Sequence, residues 1–401
     1  MKSPRIFPLA LAQLIAVSGP SALCAQEWTP TSAPVADWQA VASSADGGKL
    51  VAAAWGGSVY TSTNSGTTWN VTGLSSSSSF GVGSSADGTK LVAASWGGRV
   101  YSSTNSGSDW QTTSLPVAPW RSVGSSADGN KLVAVAYDGL SGNLSGLIST
   151  STNSGADWLA TSAGPVISVV CSADGTTMVT AGCGNYAASR ISMIHISTNS
   201  GATWIMTNAP EVAAYSVACS ADGTKLILGA DDRVYTSANS GATWTPTSLW
   251  GNGSWWTSVG SSSDGSKLLA VAAYNPIYTS AGAGKTWVVT TPLSTNWQCV
   301  ASSADGGKLL AGVGGGVGSG LIYTSQSAPA PALMIAPSGR NLVLSWIVPS
   351  MNFVLQQNSG LNTTNWTDVA KAPTLNLTNL QYQVTMAATN AGRFYRLKGS
   401  P

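Results

Sequence analysis

The sequence predicts an all-β fold built from repeated units, and three observations lead to this prediction. Glycine accounts for 45 of 401 residues while glutamate occurs only as Glu27 and Glu211, so residues that favour strands and turns outnumber those that favour helices. The phrase Asn-Ser-Gly-x-x-Trp occurs five times, first at Asn64–Trp69. A phrase close to Ser-Ala-Asp-Gly occurs seven times. Short strands joined again and again by the same turns would produce this pattern.

The second phrase sets the length of the repeat. Its aspartates are Asp46, Asp87, Asp128, Asp174, Asp222, Asp264 and Asp305. The steps between them are 41, 41, 46, 48, 42 and 41 residues. A period of this length, with several short strands in each copy, is typical of a β-propeller.

Each repeat divides into four short strands. In the first copy an alternating strand ends at the Ala-Asp-Gly turn, where Gly47 supplies a positive φ. Residues 49–55 form the second strand, 58–63 the third and 68–72 the fourth. Six lysines lie three residues after the repeated aspartate, and we expect them to form local turn pairs of little energetic weight.

The Asn-Ser-Gly turn connects the third strand to the fourth, and we interpret it as scaffolding. The side-chain oxygen of Asn64 is expected to accept hydrogen bonds from amides two and three residues further on. Gly66 is expected to take a backbone conformation that a Cβ would forbid, and Trp69 to anchor the turn to its sheet.

This turn resembles the Asp-box, or BNR, repeat Ser-x-Asp-x-Gly-x-Thr-Trp of sialidase-like and photosystem-assembly-factor-like β-propellers. Asparagine stands where that family has aspartate, and an amide oxygen can accept the same hydrogen bonds. The five positions are Asn64, Asn105, Asn153, Asn199 and Asn239. The sixth copy has Gly282 there and is expected to lack the cap. The resemblance covers about three quarters of the chain and implies the fold without implying an activity.

The two ends of the repeat region complement each other. Six copies close on a tryptophan, whereas the seventh stops at 322–327 without one; the phrase Trp-Thr-Pro-Thr stands at 28–31, as it does at 244–247. We therefore predict a seven-bladed propeller over residues 26–326, closed by the N-terminal strand, which removes an exposed sheet edge. Residues 327–333 are predicted to be a Pro/Ala linker, and 334–401 a small β-sandwich-like module of five strands. The module is similar to those that end many secreted bacterial proteins.

The N-terminus has the pattern of a signal peptide. Basic residues precede an apolar run at 6–17 that is too short to span a bilayer, and small residues follow it. We predict that residues 1–25 are removed on export to the periplasm or the extracellular space, without lipid attachment at Cys24. No later stretch is apolar enough to predict an integral membrane segment.

Four cysteines remain after this segment, and no cofactor or metal is predicted from them. They are Cys171, Cys183, Cys219 and Cys299. Export would permit two disulfides in any of three connectivities, and buried thiols are the interpretation that we favour. Their spacing matches no zinc motif.

Charge argues against a nucleic-acid partner. Residues 26–326 carry 15 acids and 11 bases, and residues from 327 onward carry one acid and five bases. The mature chain is therefore nearly neutral and has no basic stripe of the kind that phosphate binding requires.

Strand direction separates two faces of the predicted propeller. The Asp-Gly and Asn-Ser-Gly turns lie on one, the repeat face; the second turn of each repeat and the connection to the next lie on the other, the variable face. Irregular loops on a rigid frame are where binding tends to occur. We predict that a ligand contacts aromatic and acidic side chains of the variable face: Trp38, Trp55, Trp96, Trp120, Tyr137, Asp138, Glu211, Tyr215, Asp232, Trp256, Tyr274 and Trp297. The alternative for each aromatic residue is a wedge packed between blades.

Three functions fit these predictions. The first is a secreted, non-catalytic recognition propeller that binds a glycan or a protein through its aromatic face. The second is a sialidase-like glycoside hydrolase, which requires two facing carboxyl groups such as Asp138 with Glu211 or Asp232. The third is an assembly-factor-like chaperone, whose basic patch four scattered propeller arginines do not reproduce.

Overall fold

The computed structural model describes residues 27–75, 78, 80–137, 146–182, 193–207, 209–251, 253–291, 293–315, 320–326, 333–339, 341–347, 353–359, 365–376, 381–387 and 393–399. The chain separates into two compact units at Ser327, the larger being Gln26–Gln326. All regular structure within the described ranges is β-strand. Among these residues no helix offers the length and hydropathy that crossing a lipid bilayer requires. The predicted signal peptide, residues 1–25, lies outside the described residues, as does the linker 327–333 apart from Leu333.

The first half of the larger unit contains seventeen strands in the described residues. They are β1 (Trp28–Pro30), β2 (Trp38–Ser43), β3 (Leu50–Ala54), β4 (Ser58–Ser62), β5 (Asn70–Ser75), β6 (Phe80–Ser84), β7 (Leu91–Gly98), β8 (Val100–Ser103), β9 (Gln111–Thr112), β10 (Ala118–Ser125), β11 (Leu132–Tyr137), β12 (Gly146–Ser151), β13 (Leu159–Ala163), β14 (Ser168–Cys171), β15 (Met178–Ala181), β16 (His195–Ser197) and β17 (Ile205–Met206).

The second half continues the same order. Its strands are β18 (Ala214–Cys219), β19 (Leu226–Ala230), β20 (Arg233–Ser237), β21 (Thr245–Trp250), β22 (Trp256–Ser261), β23 (Leu268–Asn275), β24 (Tyr278–Ser280), β25 (Val288–Val289), β26 (Thr295–Ser302), β27 (Lys308–Val313) and β28 (Ile322–Gln326).

Antiparallel pairing arranges these strands in successive groups of four. The first group runs β2-β3-β4-β5, and the same order recurs from β6, β10, β14, β18 and β22. The seventh group runs β26-β27-β28, and its fourth strand is β1, which pairs with β28 so that Trp28 lies opposite Ser325. The strands that begin the groups contact one another in sequence, and β26 also contacts β2. We call the groups units one to seven.

Backbone hydrogen bonds link the seven Asp-Gly turns to each other. Six of these turns are Ala-Asp-Gly, and that of unit six is Ser-Asp-Gly. Ala45 N donates to Ala86 O at 2.8 Å, and the same bond is repeated from each turn to the next. The last of them runs from Ala304 N back to Ala45 O, also at 2.8 Å. Each turn thus accepts a backbone hydrogen bond from one neighbouring turn and donates one to the other.

The Asn-Ser-Gly turn is closed by bonds that differ from the predicted ones. Asn64 Oδ1 accepts from the amide of Thr68, four residues on, at 2.8 Å, and from Ser62 Oγ at 3.0 Å. The Gly66 amide donates to Ser62 Oγ instead, at 2.9 Å. The expectation of amides two and three residues on was wrong because positive φ at both Ser65 (56°) and Gly66 (85°) carries the chain further round before an amide faces the oxygen.

The sixth copy forms this turn without asparagine. Gly284 N still donates to Ser280 Oγ at 3.0 Å, and Ala283 and Gly284 both have positive φ. Gly282 has no side-chain oxygen, as the sequence indicates, so the amide four residues on loses that acceptor. The serine that precedes the box, rather than the asparagine, is therefore sufficient to hold the turn.

The repeated lysines join neighbouring units, contrary to the prediction of local turn pairs. Lys90 Nζ donates to Asn130 Oδ1 of the next unit at 2.6 Å, and Lys308 Nζ to Ser65 Oγ of unit one at 3.2 Å. The stem of Lys308 also lies against Gly47, where an added Cβ would be 2.7 Å from Lys308 Cδ. The turn glycine is thus required by close packing between units as well as by its φ of 65°.

The repeated aspartates are held in their ionised form. Asp87 Oδ1 accepts from Ser85 Oγ at 2.6 Å and from the Thr89 amide at 2.9 Å, and these bonds lower its pKa to about 2. Asp174 and Asp264 have the same arrangement and a pKa of about 2. The pKa of the equivalent carboxyl is lowered in the other four turns: Asp46, Asp128, Asp222 and Asp305.

We expect these turns to make the protein acid-labile below pH 4. A carboxyl whose pKa is depressed in the folded state contributes stability above its unfolded pKa of about 3.9, and this is lost as pH falls through the folded value. The melting temperature, followed by circular dichroism, should therefore fall between pH 4 and pH 2. A triple variant Asp87→Asn, Asp174→Asn, Asp264→Asn keeps the acceptor oxygens and should show a shallower fall. Equal slopes for both proteins would contradict this assignment.

Three of the predicted thiols lie in the described residues, and all three are free. They are Cys171, Cys219 and Cys299. Burial raises the pKa of each to about 12. Cys219 packs at the junction of units four and five, with its Sγ 3.5 Å from Cys171 O, whereas Cys171 packs on the core between units three and four. The two side chains therefore face the same direction along the order of units instead of facing each other. Cys183 lies outside the described residues.

The C-terminal residues form two small sheets with a shared core. The described strands are β29 (Met334–Ser338), β30 (Asn341–Ile347), β31 (Phe353–Asn358), β32 (Thr367–Asp368), β33 (Thr374–Asn376), β34 (Gln381–Ala387) and β35 (Phe394–Gly399). They pair in the orders β29-β30-β34-β33 and β32-β31-β35. Leu344, Trp346, Leu355 and Val384 are buried together at the centre. Two of these strands, β29 and β33, were not among the five predicted.

Candidate functional site

The antiparallel order of the strands places two kinds of loop on the variable face. The second turn of each unit lies at the end opposite its Asp-Gly turn, and the connection from the fourth strand to the next unit returns to that same end. Adjacent units also pair there directly, as where Pro119 of β10 lies opposite Trp96 of β7. The variable face is therefore formed by loops that differ between units, on a frame held by the repeat face.

Four of the predicted contact residues are core side chains, and the prediction of exposed ring faces is wrong for them. Trp38, Trp120, Trp256 and Trp297 are at most 1% exposed. Trp256 packs on Ile227, Val234 and Leu249 of unit five while belonging to unit six. The alternative interpretation, a wedge between units, describes all four, because burying an indole here fills the gap between splayed sheets.

Each of these indoles contacts the unit that precedes it, and three of them also meet a tyrosine edge to face. The ring centroids of Trp256 and Tyr278 are 5.6 Å apart at 68°, and Trp38 with Tyr60 and Trp297 with Tyr323 repeat the geometry. Tyr137 is also buried, at 4% exposure. These side chains stabilise the frame and leave no ring face open to a ligand.

A β-bulge explains why the prediction selected the wrong residue in these strands. Pairing of β2 with β3 shifts register between Trp38 and Ala40, so that the residue between them is unpaired. The same shift occurs in units three, five, six and seven. The bulged residues are Gln39, Arg121, Tyr215, Thr257 and Gln298. A bulge changes the direction in which its side chain points. In the first strand of a unit, the position that varies chemically is therefore the one that follows the buried tryptophan.

The aromatic side chains that do face solvent are at the second turns and the connections. Trp55 and Tyr274, both predicted, are 52% and 72% exposed, and Tyr274 has a positive φ of 60°. Trp250 and Trp255, in the connection between units five and six, are 58% and 57% exposed. Trp96 is half-buried beneath Arg121, whose guanidinium carbon lies 3.7 Å from the ring centroid.

Two stacked pairs of side chains lie at the junction of units five and six, and we call the four residues the tryptophan ledge: Tyr215, Arg233, Trp250 and Trp255. The rings of Tyr215 and Trp255 stack with centroids 5.5 Å apart and planes at 17°. Arg233 lies opposite Trp250 in the β20–β21 pairing, and its guanidinium carbon is 3.4 Å from that ring centroid. Sequence reasoning missed the role of Arg233, because only pairing across the bulge between Arg233 and Tyr235 brings it over Trp250.

Asp232 holds Arg233 of the tryptophan ledge in place through a charged hydrogen bond. Its Oδ2 accepts from Arg233 Nε at 3.1 Å and from the Tyr235 hydroxyl at 3.0 Å. Burial and this hydrogen bond raise the pKa of Tyr235 to about 12, so the phenol remains a donor at neutral pH. Asp232 Oδ1 is buried and has no hydrogen-bond partner among the described residues. The carboxylate therefore orients Arg233 flat against the indole.

The other predicted acidic residues do not join this cluster. Glu211 is exposed in the segment before β18, and Asp138 lies outside the described residues. In the described part of the chain no three His, Cys, Asp or Glu side chains are grouped closely enough to hold a metal ion. Ring faces, one guanidinium and hydrogen-bonding groups are thus what the ledge offers, and this chemistry suits binding.

Comparison with known proteins identifies the architecture. No protein-family model matches the chain, and no curated protein matches its sequence. Solved structures do resemble it. The WD40 repeats of RRP9 align with a TM-score of 0.60 and 13% identity, over 75% of this chain and 97% of that one. YCF48 from Cyanidioschyzon merolae gives 0.54 and 15%, over 75% and 98%. The chain is a β-propeller.

An enzyme of similar fold is longer than this protein. The propeller resembles the GH74 xyloglucanase from Xanthomonas campestris with a TM-score of 0.56 and 15% identity, over 80% of this chain and 59% of the xyloglucanase. At such identities the likeness describes the fold, which enzymes and non-enzymes share.

Proposed function

We propose that the seven units are the blades of one closed propeller, with β1 as the outer strand of the last blade. The cycle of turn-to-turn hydrogen bonds that ends on Ala45 and the pairing of β1 with β28 support this proposal. Closure by a terminal strand pairs the first and last repeats, so neither leaves an open sheet edge.

We further propose that the protein is an exported, non-catalytic recognition propeller that holds a protein partner on the tryptophan ledge. The observation that carries this is the pair of half-exposed indoles, Trp250 and Trp255, each already stacked on one side and open on the other. Trp, Tyr and Arg are the residues that contribute most to binding energy at protein interfaces. Their stacking in the free protein reduces the entropy that binding costs.

The solved neighbours are consistent with protein binding. One of them is YCF48 bound to D1 peptide, which aligns over 79% of this chain at 12% identity. Export of this protein is proposed from the signal-peptide pattern at 1–25, and a protein or glycan outside the cytoplasm would then be its ligand. A glycan on the ledge is the alternative, since ring faces also stack on sugars.

Peptide display tests the proposal. The mature protein is used to select binders from a random peptide library, and the affinity of each binder is then measured on variants. Trp250→Ala should weaken the binding of the selected peptides by about tenfold or more, the usual effect at an interface hot spot. Trp55→Ala, an equally exposed indole in unit one, is the matched control and should leave affinity unchanged.

Three results would contradict the proposal. They are the absence of any binder that depends on Trp250, a glycan-array hit lost in Trp250→Ala, and hydrolysis of chromogenic glycosides that Glu211→Gln abolishes. The second would reassign the ledge to carbohydrate, and the third would make the protein an enzyme.

A further inference from the structure

A second cluster on the variable face lies at the junction of units seven and one. Asp37 Oδ1 accepts from Gln39 Nε2 and from the Gly315 amide, both at 2.6 Å. On the neighbouring unit, Gln298 Nε2 donates to Asn296 Oδ1 and Asn296 Nδ2 to Gly315 O, both at 3.0 Å. We call Asp37, Gln39, Asn296 and Gln298 the amide cluster.

Gln39 and Gln298 have equivalent positions in their units, since each is the bulged residue of its inner strand. Their strands β2 and β26 are neighbours, with Cys299 Sγ 3.9 Å from Trp38 O. The bulge repeats in units three, five and six with different side chains, so two adjacent glutamines are particular to this junction. All four members of the amide cluster are partly exposed.

An exposed indole borders the amide cluster. The amide of Trp55 donates to Asp37 O at 2.7 Å, which fixes the second turn of unit one beside the cluster. The Trp55 side chain is 52% exposed. Trp55 and Asp37 are therefore neighbours across the β2–β3 pair, joined by a backbone hydrogen bond at the exposed end of unit one.

The chemistry of the amide cluster selects one class of ligand. Its one charged group is the Asp37 carboxylate, which repels anions. Within the described residues neither glutamine Oε1 receives a hydrogen bond, so both remain acceptors, and the amide N–H groups remain donors. Adjacent hydroxyl groups, which both donate and accept, match this mixture of groups, and the C–H face of a pyranose matches an indole.

We propose that the amide cluster and Trp55 form a binding site for a neutral saccharide. The pyranose ring stacks on Trp55, and its hydroxyl groups exchange hydrogen bonds with Gln39, Gln298 and Asp37. This site is separate from the tryptophan ledge and does not rest on the function proposed for it. A protein with both sites can hold a glycan-bearing partner at two points.

The test begins with an array of neutral and acidic oligosaccharides and continues by calorimetry with the strongest neutral hit. Trp55→Ala should raise its Kd about tenfold or more, and Gln39→Ala and Gln298→Ala should each raise it severalfold. Ile205→Ala, which removes an exposed apolar side chain outside both sites, is the control and should leave the saccharide Kd unchanged. Thermal melting checks folding, and because Trp55 is exposed its removal should leave the melting temperature within about 1–2 °C.

The result that overturns the proposal is binding of no neutral saccharide, binding of acidic ones alone, or an affinity that Trp55→Ala does not alter. A neutral saccharide whose Kd rises in Trp250→Ala and not in Trp55→Ala would also overturn it, since the sugar would then occupy the tryptophan ledge. If Trp250→Ala loses peptide binding but keeps the saccharide Kd, the saccharide site is separate from the tryptophan ledge, as proposed.

Discussion

Trp256→Ala is expected to lower the free energy of unfolding by about 3–5 kcal/mol, the usual cost of removing a fully buried indole. The side chain is 1% exposed and fills the gap between units five and six, where it contacts Ile227, Val234 and Leu249. Because both units are already fixed by backbone pairing, they cannot close over the cavity. The loss should therefore lie near the upper end of this range.

The neighbouring residue supplies the control. Trp255 is 57% exposed and stacks only on Tyr215, so Trp255→Ala should change stability by less than about 1 kcal/mol. Urea denaturation monitored by far-ultraviolet circular dichroism measures both. Similar losses of stability in the two variants would contradict the assignment of Trp256 to the core and Trp255 to the surface. Peptide affinity should fall more in Trp255→Ala than in Trp256→Ala.

Gly47→Ala is expected to have the second largest effect, about 2–5 kcal/mol. Its φ of 65° costs a residue with a Cβ about 1–2 kcal/mol. In addition, the new Cβ would lie 2.7 Å from Lys308 Cδ and 2.9 Å from Lys308 Cβ, and relieving this overlap costs about 1–3 kcal/mol more. The second contribution arises where unit seven meets unit one, so it acts on the contact between these two units.

Gly97→Ala separates these two contributions. Gly97 has the same φ of 65°, but an added Cβ would meet nothing within 4 Å. Both variants restrict the unfolded chain equally, so the difference between them measures contact with Lys308 alone. Denaturation curves of the two proteins give this difference directly. If Gly97→Ala costs as much as Gly47→Ala, the glycine is required by its backbone conformation and the contact between units has no weight.

The candidate site was predicted in part from the sequence. Counting strands placed Trp55 and Tyr274 at the end of the second strand of their units, and both side chains are exposed there. Two-residue alternation and turn phrases determine at which end of a unit a residue lies. It failed for Trp38, Trp120, Trp256 and Trp297. A bulge adds one residue to the inner strand, and since side chains alternate, one added residue exchanges the buried and open positions.

The ledge depends on contacts that no local pattern encodes. Arg233 and Trp250 are seventeen positions apart, and they meet because β20 and β21 pair with a register shift between Arg233 and Tyr235. The amide cluster is less local still, since Asp37 receives the amide of Gly315 from the far end of the propeller. Local patterns do not rank one group of aromatic residues above another, because the contacts that distinguish them come from other strands.

The sequence by itself determined the repeat and its turns. Each Asp-Gly and Asn-Ser-Gly turn is closed by hydrogen bonds to groups a few residues away, so the local sequence is sufficient to specify it. Tertiary structure alone decided which aromatic side chains face solvent and which lysine contacts which neighbouring turn. Both depend on the angle and register at which neighbouring sheets meet, and packing between units determines these rather than any one repeat.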